Sequence, residues 1–278
     1  MLLTAHPGIR IEKSVVGREA APLLVIDAFV ADPDRLVRKA ARSAFAPLGA
    51  MFPGLRAVAP LSYRFLLESV LNPLLRDCFG LAPGSFDFPM CHYSLVTQPP
   101  TQLRFLQRVP HIDSVGADGL ATVHYLFHGD WGGTAFYRHR STGFESVDAA
   151  RHETYFRELE RESHGDDAPS AGYIDGDTAL FERIASVDAA YNRLIVYRRN
   201  CLHSGNIDST RMPRLTFARS GFRSGSNASS VMLNSVMRTG TMRDLLQTNS
   251  DKGASTGMIS RVPAEARALL LTSWALSG

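Results

Sequence analysis

The sequence lacks the features that would mark a membrane or secreted protein. It has no apolar run approaching the roughly 20 residues of a transmembrane helix, so we expect no membrane association. Its first residues lack a basic segment followed by a long apolar one, so we expect no secretory signal. Only three cysteines are present, widely spaced and without a CxxC pair, which favours a reducing, cytoplasmic location.

Neither basic nor acidic residues are concentrated in one part of the chain. Lys and Arg number 30 against 27 Asp and Glu, and the formal net charge is +3. Because no block of basic residues forms, we expect no nucleic-acid partner. The expected partner is a small-molecule or peptide substrate, and the sequence leaves a homodimer open. With 278 residues and 45% hydrophobic residues, the chain can bury a sizeable core.

The pattern along the chain divides it into three segments of one structural domain. Residues 1–85 predict short strands and supporting helices that pack on the core. Residues 86–223 predict a succession of short strands with glycine-containing turns, typical of an antiparallel sandwich or barrel, with a helical insert at about 148–176. Residues 224–278 lack the strand pattern, so we expect a tail that is partly flexible or helical, with a short helix at 233–246.

Three strands are predicted in the second half of the core. Residues 181–188 and 193–197 predict a hairpin with a tight turn at Tyr191–Asn192, and this hairpin ends near His203. Residues 214–222 predict the last strand.

Two metal-ligand residue types, His111 and Asp113, stand two residues apart in a strand-like segment. Alternate side chains of an extended strand point the same way, so both can reach one ion. His203 follows another apolar strand-like run and can supply a third ligand if the sheet closes. Two imidazoles and one carboxylate on one side of the metal are what a non-haem Fe(II) site requires.

A 2-oxo acid that chelates such a metal through its keto acid end presents a free carboxylate at its other end. Arg214 follows His203 in the sequence, and its guanidinium can bind a carboxylate in a bidentate manner, with Arg211 as the competing arginine. Thr216, two residues further on, can add a hydroxyl hydrogen bond. Tyr93, on a strand before His111, is a weaker candidate for a further contact.

Other conspicuous residues are better explained as structural. His124 and His128 lie in a strand-like run and are more often hydrogen-bonded core or surface residues than ligands. The segment 129–133 lacks the Lys-Ser/Thr and the following helix of a phosphate-binding loop, so it predicts a turn. Cys201 lies close to His203 in the sequence, but the base and oxyanion site that a nucleophilic cysteine needs cannot be placed, so we expect a small buried residue.

The order of these motifs carries a family resemblance. The residues concerned are His111-x-Asp113, Leu126, Gly132–Thr134, Asn192–Tyr197, His203–Gly205 and Arg214–Thr216. In this order they resemble the Fe(II)/2-oxoglutarate-dependent dioxygenases, most closely the prolyl-hydroxylase-like branch with its DUF6445-type bacterial proteins. Arg214 stands where the prolyl hydroxylases often have Lys, and either cation can bind a carboxylate.

The resemblance implies both a fold and an activity. The fold would be mainly β with flanking helices, around a double-stranded β-helix core (a jelly roll, cupin-like). The metal ligands would be His111, Asp113 and His203, and Arg214 would anchor 2-oxoglutarate. The enzyme would use Fe(II), 2-oxoglutarate and O2 to hydroxylate an unactivated C–H bond of a small molecule, amino-acid derivative or peptide, releasing succinate and CO2.

Two alternatives remain open from the sequence. One is a cupin-like metal-binding isomerase, lyase or sensor that does not turn over 2-oxoglutarate. The other is a non-catalytic binding module that recruits a partner through its basic surface and C-terminal tail.

Overall fold

The computed structural model describes residues 2–49, 51–207 and 231–240. The strands in these ranges are β1 (Arg10–Val16), β2 (Ala21–Asp27), β3 (Ala46–Pro47), β4 (Gly54–Val58), β5 (Ser85–Val96), β6 (Gly119–Tyr125), β7 (Gly133–His139), β8 (Phe181–Asp188), β9 (Arg193–Arg198), β10 (His203–Asn206) and β11 (Met232–Gly240). The helices are α1 (Pro33–Ala40), α2 (Leu61–Leu71), α3 (Leu75–Phe79) and α4 (His152–Ser163). The predicted class, mainly β with flanking helices, is confirmed.

The strands form two antiparallel sheets. The large sheet has eight strands in the order β1-β2-β9-β6-β11-β5-β4-β3, and the small sheet has the order β10-β7-β8. The two sheets pack face to face across a shared apolar layer, in which Phe136 of the small sheet meets Tyr197 of the large one at 5.1 Å between ring centroids. This pair of facing antiparallel sheets is the expected jelly-roll core.

The two faces of the large sheet have different neighbours because side chains alternate along each strand. On β6, Ala121, Val123 and Tyr125 point inward, to the layer shared with the small sheet. Leu120 lies on the opposite, outer face, in the apolar cluster that the helices cover. Both faces are therefore buried in the middle of the sheet, and the inward face is the one on which a site between the sheets can form.

The helices begin and end where the sequence signals predict. The Asp32 side chain caps α1 by accepting a hydrogen bond from the backbone N–H of Arg35 at 3.0 Å, and Pro33 takes the first helical position. Pro73 separates α2 from α3, as expected, and Gly80 ends α3 in the left-handed conformation with φ of 61°. None of the helices in the described ranges is long and apolar enough to cross a membrane.

Residues 1–85 contribute strands to the large sheet itself. They supply β1 to β4, half of the large sheet: β2 pairs with β9, and β4 pairs with β5. The segment around residues 47–60 had the proline and glycine content of a loop, but residues 54–58 form a sheet strand. Short strands near Pro and Gly carry too little pattern to be distinguished from loops.

Residues 232–240 form a strand in the middle of the large sheet, so the predicted helix at 233–246 is wrong over this range. Strand β11 pairs with β5 on one side and β6 on the other. Leu233 and Met237 are fully buried on the outer face, a spacing that fits a strand and a helix equally well. The rest of the tail, and the strand predicted at 214–222, lie outside the described residues.

The predicted hairpin at 181–197 is also wrong, although both strands exist. Strand β8 pairs with β7 in the small sheet, whereas β9 lies between β2 and β6 in the large sheet. The turn at Tyr191–Asn192 therefore carries the chain from one sheet to the other, with Asn192 at φ of 63°. The sequence pattern predicts two strands joined by a turn, but it does not show which sheet each strand joins.

The insert after β7 contains the predicted helix. Helix α4 packs on the fold through one face, because Tyr155 and Leu159 are buried against the small sheet and its surroundings. The same apolar cluster contains Val109 and Leu202, which lie close in sequence to the predicted ligands His111 and His203. The insert thus packs beneath the segments that carry the candidate site.

Candidate metal site

The structure brings together the three side chains that the sequence singled out. One ligand-type atom from each of His111, Asp113 and His203 lies within 4.8 Å of the other two. The His111 and His203 ring centroids are 4.4 Å apart. The Nε2 atom of His203 lies 3.7 Å from Oδ2 of Asp113. This is a donor set in which one ion could contact all three residues.

The backbone places the two histidines opposite each other. Strand β10 begins at His203 and pairs with β7, and beyond it His111 forms an isolated antiparallel bridge to His203. Below them, buried Leu202 accepts a hydrogen bond from the N–H of Tyr137 at 3.0 Å and donates to the carbonyl of Glu145 at 2.8 Å. These contacts fix the His203 end of the pair to the small sheet.

Asp113 is positioned by the end of β9. Its N–H donates to the carbonyl of Arg199 at 2.8 Å. The guanidinium of the same arginine donates to the Gly116 carbonyl at 3.1 Å and to Asp118 at 2.7 Å. One residue, Arg199, therefore holds both ends of the loop between Asp113 and β6.

The imidazole of His203 has a defined orientation. Its Nδ1 lies 3.0 Å from the carbonyl oxygen of Cys201, an acceptor, so Nδ1 carries the proton and donates it. This leaves Nε2 as the lone-pair nitrogen on the side of Asp113. A backbone carbonyl holding the other ring nitrogen is the usual arrangement around metal-binding histidines. The ring of Tyr197 packs against His203 at 4.7 Å between centroids.

His111 is exposed to solvent, unlike the buried His203. Desolvation of the imidazole by the protein packed around it lowers its pKa well below the ordinary value, and the nearby His203 and Arg56 lower it further. A lowered pKa keeps the ring neutral near neutral pH, the form in which histidine binds metals. The open side gives small molecules access to the group.

Tyr93 does not belong to the site, which corrects the prediction. Its side chain is fully buried on the outer face of the large sheet, in the cluster that the helices cover. Burial raises the pKa of the Tyr93 hydroxyl. The inward face of β5 carries its neighbours His92 and Ser94 instead, because adjacent residues of a strand point to opposite faces.

Arg214 and Thr216, the predicted anchor of a 2-oxo acid, lie outside the described residues, as does Arg211. Among the described residues, Arg56 on β4 is a cation that acts on the candidate ligands. The charge of Asp113 raises the pKa of Arg56, and the charge of Arg56 lowers the pKa of His111. The sequence offered one signal for this strand, the apolar pair Leu55 and Ala57 on either side of Arg56.

The structure gives structural roles to His124, His128 and Cys201, as the sequence predicts. The two ring nitrogens of His124 lie 3.1 Å from the Tyr63 hydroxyl and 3.1 Å from Oδ1 of Asn192, on the face away from the site. The ring of His128 stacks on Tyr191 at 3.9 Å. Cys201 is buried, and burial raises the pKa of its thiol to about 12, so the thiolate of a nucleophile is not available near neutral pH.

Comparison with known families identifies the chain. A family model described as a family of unknown function, DUF6445, matches residues 7–217. The chain belongs to this family. No curated protein matches its sequence.

One solved structure that shares features with the chain is HygX from Streptomyces hygroscopicus, with nickel and 2-oxoglutarate bound. The sequence identity is 10%, the TM-score is 0.46, and the alignment covers 79% of this chain and 84% of that one. With so low an identity and TM-score, the likeness says nothing about the activity of this chain.

Proposed function

We propose that this protein is an Fe(II)- and 2-oxoglutarate-dependent dioxygenase of the prolyl-hydroxylase-like branch. In this proposal it hydroxylates an unactivated C–H bond of a small molecule, amino-acid derivative or peptide. The observation that carries the proposal is the group formed by His111, Asp113 and His203. Two imidazoles and one carboxylate are the ligand set of non-haem Fe(II) oxygenases.

The residues present fit a divalent iron ion on several independent grounds. Nδ1 of His203 donates to a carbonyl, so Nε2 is the nitrogen that the neutral ring presents to a metal. His111 is kept neutral by its surroundings, and Asp113 supplies the negative charge. Three protein ligands on one side leave coordination positions for a chelating 2-oxo acid and O2, whereas a structural zinc site would use four protein ligands. The described residues offer no fourth His, Cys, Asp or Glu in this group.

When bound, iron with 2-oxoglutarate and O2 supplies the oxidising power for hydroxylation, with succinate and CO2 as co-products. The tasks of the chain are to position and to shield. The backbone bridge sets the separation of the two histidines, and Arg199 holds the loop after Asp113. Tyr197 and the apolar layer between the sheets exclude water from the inner side of the ligands.

The proposal also assigns the residues that bind 2-oxoglutarate and the compartment of the protein. Arg214 would bind the distal carboxylate of 2-oxoglutarate, with Thr216 adding a hydroxyl hydrogen bond. The three cysteines are free thiols, which fits a reducing cytoplasm.

Spectroscopic titration with 2-oxoglutarate tests the proposal. The purified chain is loaded anaerobically with Fe(II), and the visible charge-transfer absorption of an iron-bound 2-oxo acid is followed as 2-oxoglutarate is added. Admission of O2 should then convert 2-oxoglutarate to succinate. His203→Ala should remove both signals, whereas His128→Ala, a substitution at a histidine that stacks on Tyr191, should keep them.

Two results would count against the proposal. A chain that binds iron but not 2-oxoglutarate would be better explained as a cupin-like isomerase, lyase or sensor. A chain that binds neither would leave the His–Asp–His group without a metal role.

A further inference from the structure

Four polar side chains lie side by side on the inward face of the large sheet. They come from three neighbouring strands: Arg56 from β4, His92 and Ser94 from β5, and Asn234 from β11. Arg56 is paired in register with Ser94, and Asn234 with His92. Their neighbours Ala57 and Tyr93 take the outer face, in the cluster that the helices cover. We call these four residues the inward polar cluster.

Each member of the inward polar cluster has a buried polar atom without a hydrogen-bond partner among the described residues. The atoms are Nε of Arg56, Nδ1 of His92, Oγ of Ser94 and Oδ1 of Asn234. Three other such atoms occur in the described ranges, in Arg64, Tyr93 and Tyr137. A buried polar atom left unpaired destabilises the folded chain. Four in adjoining positions, with Ser94 fully buried, indicate a surface shaped to pair with a ligand.

Arg56 gives this cluster its positive charge. Burial lowers the pKa of its guanidinium to about 10, and the charge of Asp113 opposes that shift. The group stays charged near neutral pH, and no carboxylate of the described residues forms an ion pair with it. Its guanidinium lies over the ring of Phe52, 4.1 Å from the centroid, which fixes its plane and leaves its N–H edge to bind in that plane.

The cluster also lies on the side of the candidate metal ligands, because the inward face carries Tyr197, whose ring packs against His203 at 4.7 Å between centroids. The charge of Arg56 lowers the pKa of His111, and Asp113 raises that of Arg56. No direct ion pair joins Arg56 to Asp113, so the guanidinium remains available to another anion. A molecule bound at the cluster would thus have one part close to the metal.

A partly buried guanidinium that has no carboxylate partner among the described residues, beside a hydroxyl, is suited to a carboxylate, which it can bind through two parallel N–H bonds. The pKa of His92 is lowered to about 4, by burial first and then by the charges of Arg56 and Arg64, so its ring is neutral. His92 and Asn234 are two residues along the strands from the Arg56–Ser94 pair, or about 7 Å. They would pair with a second polar group of the same molecule.

We propose that Arg56 and Ser94 bind a carboxylate of the molecule that is oxidised, which makes the substrate a small carboxylic acid with a second hydrogen-bonding group. This inference rests on the proposed function. The carboxylate could come from two sources, the substrate or the cosubstrate 2-oxoglutarate. We assign it to the substrate because the proposed function gives Arg214 to the cosubstrate.

Two calorimetric titrations separate these sources. Mn(II) replaces iron and O2 is excluded, so that binding is measured without turnover. The first titration adds 2-oxoglutarate. The second, at saturating 2-oxoglutarate, adds a panel of free L-amino acids, each compared with its carboxamide, which has the same shape without the charge. The proteins are the wild type, Arg56→Met, Arg56→Lys and the control Arg10→Met, which removes an exposed arginine.

The inference predicts that at least one acid binds the wild type about tenfold or more tightly than its carboxamide. Arg56→Met should abolish that preference and leave 2-oxoglutarate affinity unchanged. Arg56→Lys should retain part of the preference, and Arg10→Met all of it. Far-ultraviolet circular dichroism checks that each variant is folded.

Two outcomes overturn the inference. The first is a wild type that binds no acid of the panel more tightly than its carboxamide. The second is an Arg56→Met variant with weakened 2-oxoglutarate binding, which would assign the carboxylate to the cosubstrate. A wild type that does not bind 2-oxoglutarate instead contradicts the proposed function, and the acid titration repeated with Mn(II) alone still decides whether Arg56 binds a carboxylate.

Discussion

His111 and His203 face each other across an antiparallel bridge in which each residue donates its backbone N–H to the carbonyl of the other, both at 2.9 Å. The main chain therefore sets the separation of the two imidazoles before any ion binds. A ligand pair that is held in place by the backbone binds a metal without reorganising the fold. It also means that either imidazole can be removed without loss of the bridge.

Arg199 should position Asp113 without touching the metal itself. Replacing it by Met leaves its carbonyl bond to Asp113 but releases the Gly116 carbonyl and Asp118. Metal affinity should then fall about tenfold or more, as is typical when the supporting partners of ligands are lost. Arg183→Met is the matched control. Arg183 lies on the small sheet, and its replacement removes an ion pair with Asp175. Equal metal affinities of the two variants would refute the role of Arg199.

Gly132 should be intolerant of any side chain. It has φ of 103°, and a Cβ built there would lie 1.6 Å from the carbonyl oxygen of Asn206, the last residue of β10. Gly132→Ala should lower the free energy of unfolding by about 2 kcal/mol or more and loosen the strand that begins at His203. Urea unfolding measures the change, with Gly172→Ala as control because nothing lies near its Cβ position. Similar unfolding midpoints for the two variants would contradict the strand placement.

His124 should make the protein sensitive to acid. Burial lowers its pKa from 6.5 to about 4. Between those values the unfolded chain binds a proton that the folded chain does not, so stability is lost as the pH falls through this range. His124→Gln, which cannot titrate, should be less stable at neutral pH but show a shallower decline on acidification. Urea unfolding from pH 7 to pH 4 checks this, and parallel slopes for the two proteins would show that the histidine is not responsible.

Cys201 should be chemically inert in the folded protein despite lying two residues from His203. Burial raises the pKa of both Cys91 and Cys201 to about 12, and Cys78 is only partly buried. Iodoacetamide should therefore alkylate Cys78 in the native protein, and all three thiols after denaturation. Peptide mass mapping distinguishes them. Rapid native modification of Cys201 would reopen the possibility of a nucleophilic thiol that the sequence argument set aside.

The sequence could predict that these three side chains come together because the signal is local and ordered. A His-x-Asp pair followed by a later histidine specifies residue types and their order, and the structure places His111, Asp113 and His203 together. Which face a strand residue takes is much harder to predict, since a shift of one residue moves every side chain to the other face. Tyr93 was chosen for the site, yet its neighbour Ser94 occupies the inward face.

Arg56 and β11 escaped prediction for a different reason. Arg56 lies in a five-residue strand within a segment rich in Pro and Gly, too short to show a period. In β11 the apolar spacing of Leu233 and Met237 fits a helix as well as a strand. In both cases the deciding interaction is pairing with β5, distant in sequence, which no local pattern contains.

The measurement that tests the central claim most directly is the stoichiometric binding of a divalent metal to the purified chain. Anaerobic titration with Fe(II), or with Co(II) followed by its visible absorption, should show one ion bound per chain. His203→Ala and Asp113→Ala should lose this binding while their circular dichroism stays native, because the backbone bridge remains. Binding that persists unchanged in both folded variants would contradict the assignment of these residues as metal ligands.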